Sequence, residues 1–508
     1  MRLSSWLRST HSHFAPTGTE NGLRPTRLPM RAAPARLGVE PLEDRTVPST
    51  FTVHNLADSG DGSLRAAIAD ANTNPGADLI RFAPSARDGT IVLTSGELVI
   101  TDGLRIDGPG AGRLAVSGND ASRVFWIDSG ATVSIDDLTV TRGRAVGQGG
   151  GILNAGTLTL SHAVVSYNEV VGLPGANLGT VVDAFGGGVF NTGTLTVHHS
   201  RFAYNRSTGA DGTPSTIGSS ALGGAIMSGG TAAAPATATV SHSTFLDNQA
   251  IGGAAGTGAS RAGIGGAVAN ATGTFTVSHS EFRDNQAVGG LGGSAPGGFG
   301  TGAGGAIGNV ARLGDAILAV SHSTFLDNRA VGGAAGTGTP AQDGRGGAIA
   351  NYIFGGLAAP VTVTASATVT HSTLLGNEAV GGTGPKGGNG QGGGIANLNG
   401  GTLTVSNSLI ALNQAIGGAG TAGNGGNGQG GGIFNGGAIA IGPSRLTLQR
   451  SLIALNQAEG GVSVGGSTGL GQGGGLYLVP GGVATAERTF IFANNASTSD
   501  DDVFGSLV

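Results

Sequence analysis

Residues Gly265 to Asn285 read Gly-Gly-Ala-Val-Ala-Asn-Ala-Thr-Gly-Thr-Phe-Thr-Val-Ser-His-Ser-Glu-Phe-Arg-Asp-Asn, and this stretch decides the fold. Its two elements recur beyond residue 145 as Gly-Gly-Gly/Ala-Ile/Val-x-Asn and then Leu/Phe-Thr-Val-Ser-His-Ser-x-Phe-x-x-Asn. Successive closing asparagines are 36 residues apart between Asn377 and Asn413 and 49 apart between Asn328 and Asn377, and the other intervals fall between these values. A repeat of this length is typical of a stacked-repeat fold.

The residue types in the repeat favour strands over helices. Thr-Val-Ser alternates polar and apolar residues, and its β-branched side chains suit a strand. Each repeat holds three strand candidates separated by turns. The sequence therefore predicts an all-β protein, a right-handed parallel β-helix of roughly 9–12 coils with a pectate-lyase-like solenoid form.

Two ladders are expected to run along this solenoid. One is an inward apolar ladder formed by Val165, Phe202, Phe245, Phe282, Phe325, Leu374, Ile410 and Ile453. The other is an asparagine ladder whose stacked side chains hydrogen-bond to one another. Its members are Asn168, Asn205, Asn248, Asn285, Asn328, Asn377, Asn413 and Asn456, with a degenerate last copy at Asn494. Repeat length varies in loops such as 289–305 and 417–432, whose Gly, Ala, Ser, Thr and Asn composition predicts flexible segments on one face.

The start of the fold carries a different signal. Ser63 can cap a helix over residues 64–72, in which Leu64, Ala67, Ile68 and Ala71 fall on one face. A short amphipathic helix here would cover the open apolar end of the first coil. The predicted organisation is a disordered export or targeting segment at 1–48, a cap with irregular coils at 49–144, β-helix repeats at 145–497 and an acidic tail at 498–508.

Three stretches resemble known bacterial families. Residues 62–67, Gly-Ser-Leu-Arg-Ala-Ala, resemble the Cys-Ser-Leu-Arg-Glu-Ala region of bacterial β-helix repeat proteins, with the Cys and Glu replaced. The Gly-Gly-Ala-Ile elements, matched by Gly-Ala-Ile at 224–226, and the Phe-x-x-Asn elements, as at 245–248, are similar to chlamydial polymorphic outer membrane protein repeats. The run 39–49 resembles an N-terminal motif of large exported surface proteins. These resemblances imply a bacterial right-handed β-helix at an extracellular or cell-surface location.

Composition excludes several classes of function. The chain of 508 residues has 100 glycines, no cysteine and a net charge of −5, so disulfides and cysteine-based metal sites are ruled out. It lacks the basic stripe of a nucleic-acid-binding protein. No run approaches the ~18 apolar residues that a membrane span needs. We therefore expect neither a nucleic acid partner nor a membrane span.

A histidine occupies one repeat position in six consecutive units. Stacked imidazoles could bind metal or respond to pH. The favoured interpretation is structural, because His and Asn are both enriched in the left-handed backbone region that tight turns use, and Asn407 and Arg450 continue the series. The histidines are His162, His199, His242, His279, His322 and His371.

A short carboxylate row is the second candidate site. Asp247, Asp284 and Asp327 precede the ladder asparagine in three consecutive units, whereas Tyr204 and Gly376 flank them. At one-coil spacing, about 5 Å, they approach the separation of a retaining glycosidase pair or could hold Ca²⁺. The alternative is that they are solvated turn residues.

Catalysis has weaker support in the sequence. The right-handed β-helix also carries pectin-acting lyases and hydrolases, but fold analogy is weak evidence of function. Gly-x-Gly-x-x-Gly at 418–423 lacks a strand-to-helix context. We therefore predict a secreted or cell-surface structural or adhesive solenoid without catalytic residues, resident metal or cofactor, with a glycan or surface protein as partner. The alternative is a polysaccharide-binding or polysaccharide-cleaving β-helix protein.

Overall fold

The structure is a computed structural model. It describes residues 48–508 except 178, 214, 256–260, 293–299, 336–339, 355–362 and 438–441. The predicted targeting segment at 1–48 and the run 39–49 lie outside the described residues, apart from residues 48 and 49. The predicted domain boundaries stay predictions.

The chain forms a parallel β-helix, which confirms the predicted fold class. Each regular coil crosses sheet 1 twice, then sheets 2, 3 and 4, and every strand pairs in parallel with its counterparts in neighbouring coils. The twelve strands of sheet 2 agree with the predicted number of coils. Three strands per repeat were predicted and five are found, because the strands of sheets 3 and 4 are only two or three residues long.

Sheet 1 has two columns of strands, joined through Val268–Ser278. The first column comprises Leu98–Ile100, Phe125–Ile127, Ile152–Asn154, Val189–Asn191, Ile226–Gly229, Ile307–Ala311, Ile349–Ile353, Ile395–Leu398, Ile433–Gly436, Leu476–Leu478 and Val503–Phe504. The second column comprises Thr50–Val53, Asp78–Phe82, Leu104–Asp107, Thr132–Asp136, Thr157–Ser161, Thr194–His198, Ala236–Ser241, Ala316–Ser321, Ala365–Thr370, Thr402–Ser406, Arg445–Gln449 and Val483–Glu487.

The other three sheets complete each coil. Sheet 2 comprises Gly89–Val92, Leu114–Ser117, Thr139–Thr141, Val164–Ser166, Arg201–Ala203, Thr244–Leu246, Glu281–Arg283, Thr324–Leu326, Thr373–Leu375, Leu409–Ala411, Leu452–Ala454 and Phe490–Phe492. Sheet 3 comprises Arg144–Val146, Glu169–Val171, Arg206–Thr208, Gln249–Ile251, Gln286–Val288, Arg329–Val331, Glu378–Val380, Gln414–Ile416, Gln457–Glu459 and Asn495–Ala496. Sheet 4 comprises Ala184–Phe185, Ala221–Leu222, Gly263–Ile264, Gly302–Ala303, Gly344–Arg345, Gly390–Gln391, Gly428–Gln429 and Gly471–Gln472.

The core runs along the inside of the solenoid. The predicted inward ladder is confirmed, since each of its eight members has no exposed surface. Phe245 stacks on Phe282 with ring centroids 4.6 Å apart, and Phe282 on Phe325 at 4.9 Å. Identical side chains in register therefore stack at the strand-to-strand spacing of a parallel sheet.

Buried polar ladders, among them the predicted asparagine ladder, hold neighbouring coils together. The amide of Asn285 donates to Asn328 Oδ1 at 2.9 Å and to the Phe245 carbonyl at 3.0 Å, and neighbouring members repeat this pattern. A serine ladder absent from the sequence analysis runs beside it, in which the backbone N–H of Ser243 donates to Ser280 Oγ at 3.1 Å. These contacts satisfy polar groups that would be costly to bury unpaired.

The last coil is closed by the residues predicted to form an acidic tail. Val503–Phe504 adds a final strand to sheet 1. Asp502 Oδ1 accepts hydrogen bonds from the backbone N–H of Asn494 at 3.1 Å and from its side-chain amide at 2.9 Å. The carboxylate of Asp502 thus takes the place that the next asparagine would fill, which ends the ladder without an unpaired donor.

The predicted capping helix is confirmed at Leu64–Thr73. Ser63 Oγ accepts from the backbone N–H of Ala66, and Leu64, Ala67, Ile68 and Ala71 are buried. A short 3-10 turn, Pro84–Ala86, follows the second strand. The helix therefore covers the start of the core as its apolar face predicted.

The glycine-rich loops that the structure describes are held by backbone hydrogen bonds, and residues 293–299 of the predicted loop 289–305 lie outside the described residues. In the described loops the chain segments stack on those of the neighbouring coils: Gly418 N–H donates to the Gly388 carbonyl at 2.8 Å, and Gly461 N–H to the Gly426 carbonyl at 2.8 Å. A Cβ on Gly426 would lie 1.7 Å from the Gly388 carbonyl oxygen. Glycine is required here because the backbones approach too closely for any side chain.

In the part of the chain that the structure describes, no helix is long and apolar enough to cross a membrane.

Candidate functional site

The turn between sheets 2 and 3 places one exposed or half-buried side chain per coil directly before the asparagine ladder. Five consecutive coils supply aromatic and acidic residues there, and we call them the Tyr–Asp row. Each has a positive φ of 51–57°. The row therefore follows the solenoid axis at one-coil intervals. Its members are Tyr167, Tyr204, Asp247, Asp284 and Asp327.

The tyrosines at the N-terminal end of the row form an exposed pair. The rings of Tyr167 and Tyr204 stack with centroids 4.9 Å apart, and 58% and 41% of their surfaces are exposed. They line an open depression of about 450 Å³, a size in the usual range for small-molecule sites. Its other lining residues are Asp120, Arg142, Asn168, Glu169 and Arg206.

The three carboxylates influence one another. Asp284 lies between Asp247 and Asp327, and its pKa is raised, first by partial burial and then by the negative charges of these two neighbours. The charge of Asp247 is also the main cause that raises the pKa of the Tyr204 hydroxyl. A carboxyl whose pKa is raised by burial and by neighbouring carboxyl groups has the electrostatic character of a general acid.

A metal site at this row has no direct support in the geometry. Among the described residues, no group of three or more His, Asp or Glu side chains is arranged to hold a metal ion. Because the row runs along the surface, its carboxylates do not surround a common point. Calcium binding by Asp247, Asp284 and Asp327 stays a prediction.

The histidine row lies on the other edge of sheet 2. The six predicted histidines occupy the turn that follows the second column of sheet 1, with φ of 48–50°. Their rings stack nearly parallel, with centroids 4.8 to 5.2 Å apart. Asn407, Arg450 and Arg488 continue the row with φ of 47–50°. The left-handed backbone accounts for asparagine in this position.

The tyrosine pair is the feature that sequence reasoning missed. Residue identity alone makes Tyr204 the end of the carboxylate row and leaves out Tyr167, which takes the equivalent position one coil earlier. The signal was present, since each tyrosine immediately precedes a ladder asparagine, as the three aspartates do. Equivalence of position, rather than identity of residue, defines the row.

Comparison with known proteins finds similarity only in solved structures. No family model matches the chain, and no curated protein matches it. A mannuronic acid specific polysaccharide family 6 lyase from human gut microbiota is 12% identical, over 82% of each chain, with a TM-score of 0.33. The catalytic unit of a GH87 α-1,3-glucanase from Streptomyces thermodiastaticus is 13% identical, over 89% of this chain and 70% of the other, with a TM-score of 0.35.

These comparisons correct the main functional expectation. A catalytic domain of GH87 α-1,3-glucanase in complex with tetrasaccharides is also similar, with 12% identity over 86% of this chain and 69% of the other and a TM-score of 0.36. All three solved structures are of enzymes that cleave polysaccharides, so the findings agree with the alternative expectation better than with a structural or adhesive solenoid without catalytic activity. Identities and TM-scores this low do not show which reaction or substrate this chain has. Its function must therefore be argued from its own residues.

Proposed function

We propose that this protein binds a polysaccharide along the Tyr–Asp row. The observation that carries the proposal is the exposed stack of Tyr167 on Tyr204 beside the depression that they line. Large aromatic rings left in water offer an apolar face to the C–H groups of a sugar ring, while the phenol hydroxyl stays wet. Arg206 and Glu169 at the rim can hydrogen-bond to sugar hydroxyls.

The row also fits an extended chain rather than a compact ligand. Its members repeat at one-coil spacing along a straight face, so successive sugar units would meet successive coils. A solenoid provides this kind of long, regular binding surface. The carboxylates of Asp247, Asp284 and Asp327 would accept hydrogen bonds from further hydroxyls.

Cleavage of the bound chain is the second candidate function, and the electrostatics of Asp284 favour it. Protonated Asp284 would donate its proton to the glycosidic oxygen as that bond breaks. The carboxylate of Asp247 or Asp327 would attack the anomeric carbon and form a glycosyl ester. Water would then hydrolyse this ester and return its proton to Asp284. Retaining enzymes use carboxyl groups about 5–5.5 Å apart, close to the 4.6–5.0 Å spacing of stacked rings in these coils.

A polysaccharide panel with and without Ca²⁺ tests both functions. Binding is measured by calorimetry, and cleavage by the appearance of reducing or unsaturated ends. We expect Tyr204→Ala to lose affinity, and Asp284→Asn to keep affinity but lose any product release. Absence of binding across the panel would refute the proposal. Product release that persists in Asp284→Asn would refute the role of that residue.

The remaining expectations are proposals of the same kind. The likeness of residues 62–67 and of the repeats to bacterial surface β-helix families supports an extracellular location. A polysaccharide ligand is consistent with that location. Fractionation of the native cells, with detection by antibody, would test it.

A further inference from the structure

We infer that the histidine row, extended by Asn407, Arg450 and Arg488, is a second binding strip and that its ligand is an anionic polysaccharide. This inference does not depend on the Tyr–Asp row. The two rows lie on opposite edges of sheet 2 and share no residue.

The strip presents nitrogen donors in nine consecutive coils. All nine side chains are exposed and leave the same turn with φ of 47–50°. The rings of His242, His279 and His322 are stacked at 4.9 and 4.8 Å with interplanar angles of 2° and 4°. An exposed row of this regularity offers one donor per coil to a ligand that extends along the axis.

The C-terminal end of the strip is an anion site by its composition. Arg450, Arg488 and His371 line a depression of about 680 Å³, together with Asn407 and the exposed ring of Phe490. Arginine remains charged at all accessible pH values and binds carboxylate or sulfate through paired hydrogen bonds. Among the described residues, Arg450 has no ion pair, and Arg488 approaches only Glu487, at 3.9 Å.

Acidic groups directly beside the strip are few and largely engaged, and Asp247, Asp284 and Asp327 lie across sheet 2 on its opposite edge. At its N-terminal end Asp137 occupies the equivalent turn, and Asp136 pairs with Arg105 at 3.0 Å. On sheet 2, Glu281 pairs with Arg283 at 2.6 Å.

The other groups that face the histidines are basic or neutral. His198 meets His162 and His199 edge-on, Ser161 Oγ lies 2.9 Å from His162 Nδ1, and Arg201 follows the row on sheet 2. The remaining outward neighbours on the adjoining strands include the hydroxyls of Ser241, Ser278, Ser321, Thr244 and Thr324. The strip therefore carries net positive charge once its histidines are protonated, which complements a polyanion.

The spacing favours a polysaccharide over a nucleic acid. Each strand of duplex DNA carries one phosphate per ~3.4 Å of helix axis, whereas the donors of the strip repeat at 4.8 to 5.2 Å. Sequence-independent binding of single strands also relies on aromatic platforms, and Phe490 is the one aromatic residue of the described depression. A polymer of uronate or sulfated sugars carries its charges on rings that can follow the coils.

The test measures binding of the full chain to polygalacturonate, dextran sulfate and neutral dextran at pH 8 and pH 5.5. A protonated imidazole carries a positive charge that attracts an anion, so affinity for both anionic polymers should rise about tenfold on acidification. Arg450→Gln with Arg488→Gln should lower affinity about tenfold at both pH values. The triple variant His242→Asn, His279→Asn and His322→Asn removes three of the six histidines, so it should keep affinity at pH 8 and lose about half of the pH dependence. Asparagine suits the backbone there, as Asn407 shows.

A control removes two arginines elsewhere. Arg81→Gln with Arg113→Gln changes net charge equally at the N-terminal end and should leave affinity unchanged. Equal binding of dextran and polygalacturonate, absence of binding to either anionic polymer, or a pH dependence that is unchanged in the triple variant would overturn the inference. Tighter binding of single-stranded DNA than of both anionic polysaccharides would overturn the ligand class. Circular dichroism and melting curves verify that each variant is folded.

Discussion

The phenol rings of Tyr167 and Tyr204 lie face to face, with centroids 4.9 Å apart and planes inclined by 13°. The two residues are 37 positions apart in sequence and one coil apart in the solenoid, because Val164–Ser166 pairs in register with Arg201–Ala203. Strand pairing thus builds an aromatic surface that neither coil carries alone.

The ring of Tyr204, rather than its hydroxyl, should determine polysaccharide affinity. We expect Tyr204→Ala to weaken binding about 2- to 10-fold, since aromatic contacts contribute about 0.5–1.5 kcal/mol. Tyr204→Phe keeps the stacking face and serves as the matched control, with a smaller loss. Calorimetric titration of both variants distinguishes these outcomes. Equal losses in the two variants would mean that the hydroxyl makes the contact.

Asp284 should cost the folded protein some stability at neutral pH. Folding raises its pKa, through burial and the charges of Asp247 and Asp327. The folded state therefore binds this proton more tightly than the unfolded state does. The contribution of Asp284 to the free energy of unfolding falls as the pH rises through the folded pKa. Asp284→Asn should increase the free energy of unfolding at pH 7 by less than about 1 kcal/mol, which is observed as a higher melting temperature. The difference should vanish at pH 3, where the carboxyl is protonated in both states. A stabilisation that persists at pH 3 would contradict this account.

Asp58 should show the opposite pH dependence. Burial disfavours its charge, but hydrogen bonds from Arg65, Thr94 and Ser95 outweigh burial and lower the pKa of Asp58. Its carboxylate contributes stability above about pH 4, the ordinary pKa, and that contribution is lost as the pH falls towards the lowered value. Asp58→Asn should destabilise the cap by about 1–3 kcal/mol at pH 7, and less in acid. Hydrogen exchange of the helix amides over Leu64–Thr73 measures the effect directly.

The exposed pair of Asp88 and Arg113 supplies the control for the cap. Its atoms lie 2.7 Å apart, as those of Asp58 and Arg65 do, but the Asp88 side chain is 67% exposed against 8% for Asp58. Asp88→Asn should therefore change amide exchange in the helix much less. Equal effects of the two substitutions would show that burial of Asp58 is not the cause.

Much of the fold could be predicted because every repeat carries the same pattern of apolar, polar and glycine residues. Phe282 is buried for the same reason as Phe245 and Phe325 in the two neighbouring coils. The capping helix could be predicted from the spacing of its apolar residues, Leu64, Ala67, Ile68 and Ala71. The role of Arg65 needed the structure, since its guanidinium also donates to the carbonyls of Glu97 and Gly96 at 2.9 and 2.6 Å, on a segment distant in sequence.

The parts that sequence could not give depend on contacts between coils. Gly428–Gln429 is a strand of two residues, too short to show any periodicity. Glycine-rich composition suggested flexibility at 417–432, whereas the structure shows backbones stacked closely enough to exclude a Cβ. The candidate site could be predicted only in part. Asp284 is recognised by its charge in the sequence, whereas Tyr167 is recognised as a member of the row only when the coils are aligned.

Close backbone stacking makes Gly426 sensitive to substitution. Its added Cβ in Gly426→Ala would lie 1.7 Å from the Gly388 carbonyl oxygen, so the loops must separate. We expect a loss of about 1–3 kcal/mol, the usual range for overpacking. Gly112→Ala is the control, because no atom lies within 4 Å of its added Cβ, and it should change stability by less than ~0.5 kcal/mol. Urea denaturation of both variants gives the comparison. An unaffected Gly426→Ala would show that these loops are loosely held after all.

The asparagine ladder should be the most sensitive polar element of the solenoid. Asn285→Ala removes the acceptor of the Asn248 backbone N–H at 3.0 Å and side-chain amide at 2.9 Å, and it also removes the donor to Asn328. These groups are buried where water cannot replace the lost partner, and each unsatisfied group costs about 1–3 kcal/mol. We expect a loss of about 2 kcal/mol or more, measured by denaturation. Gln286→Ala, at the adjacent and more exposed position, should lose less than ~0.5 kcal/mol. If both variants melted alike, the stability of the coils would rest on the apolar core and the backbone pairing, and the ladder would serve only to set the register.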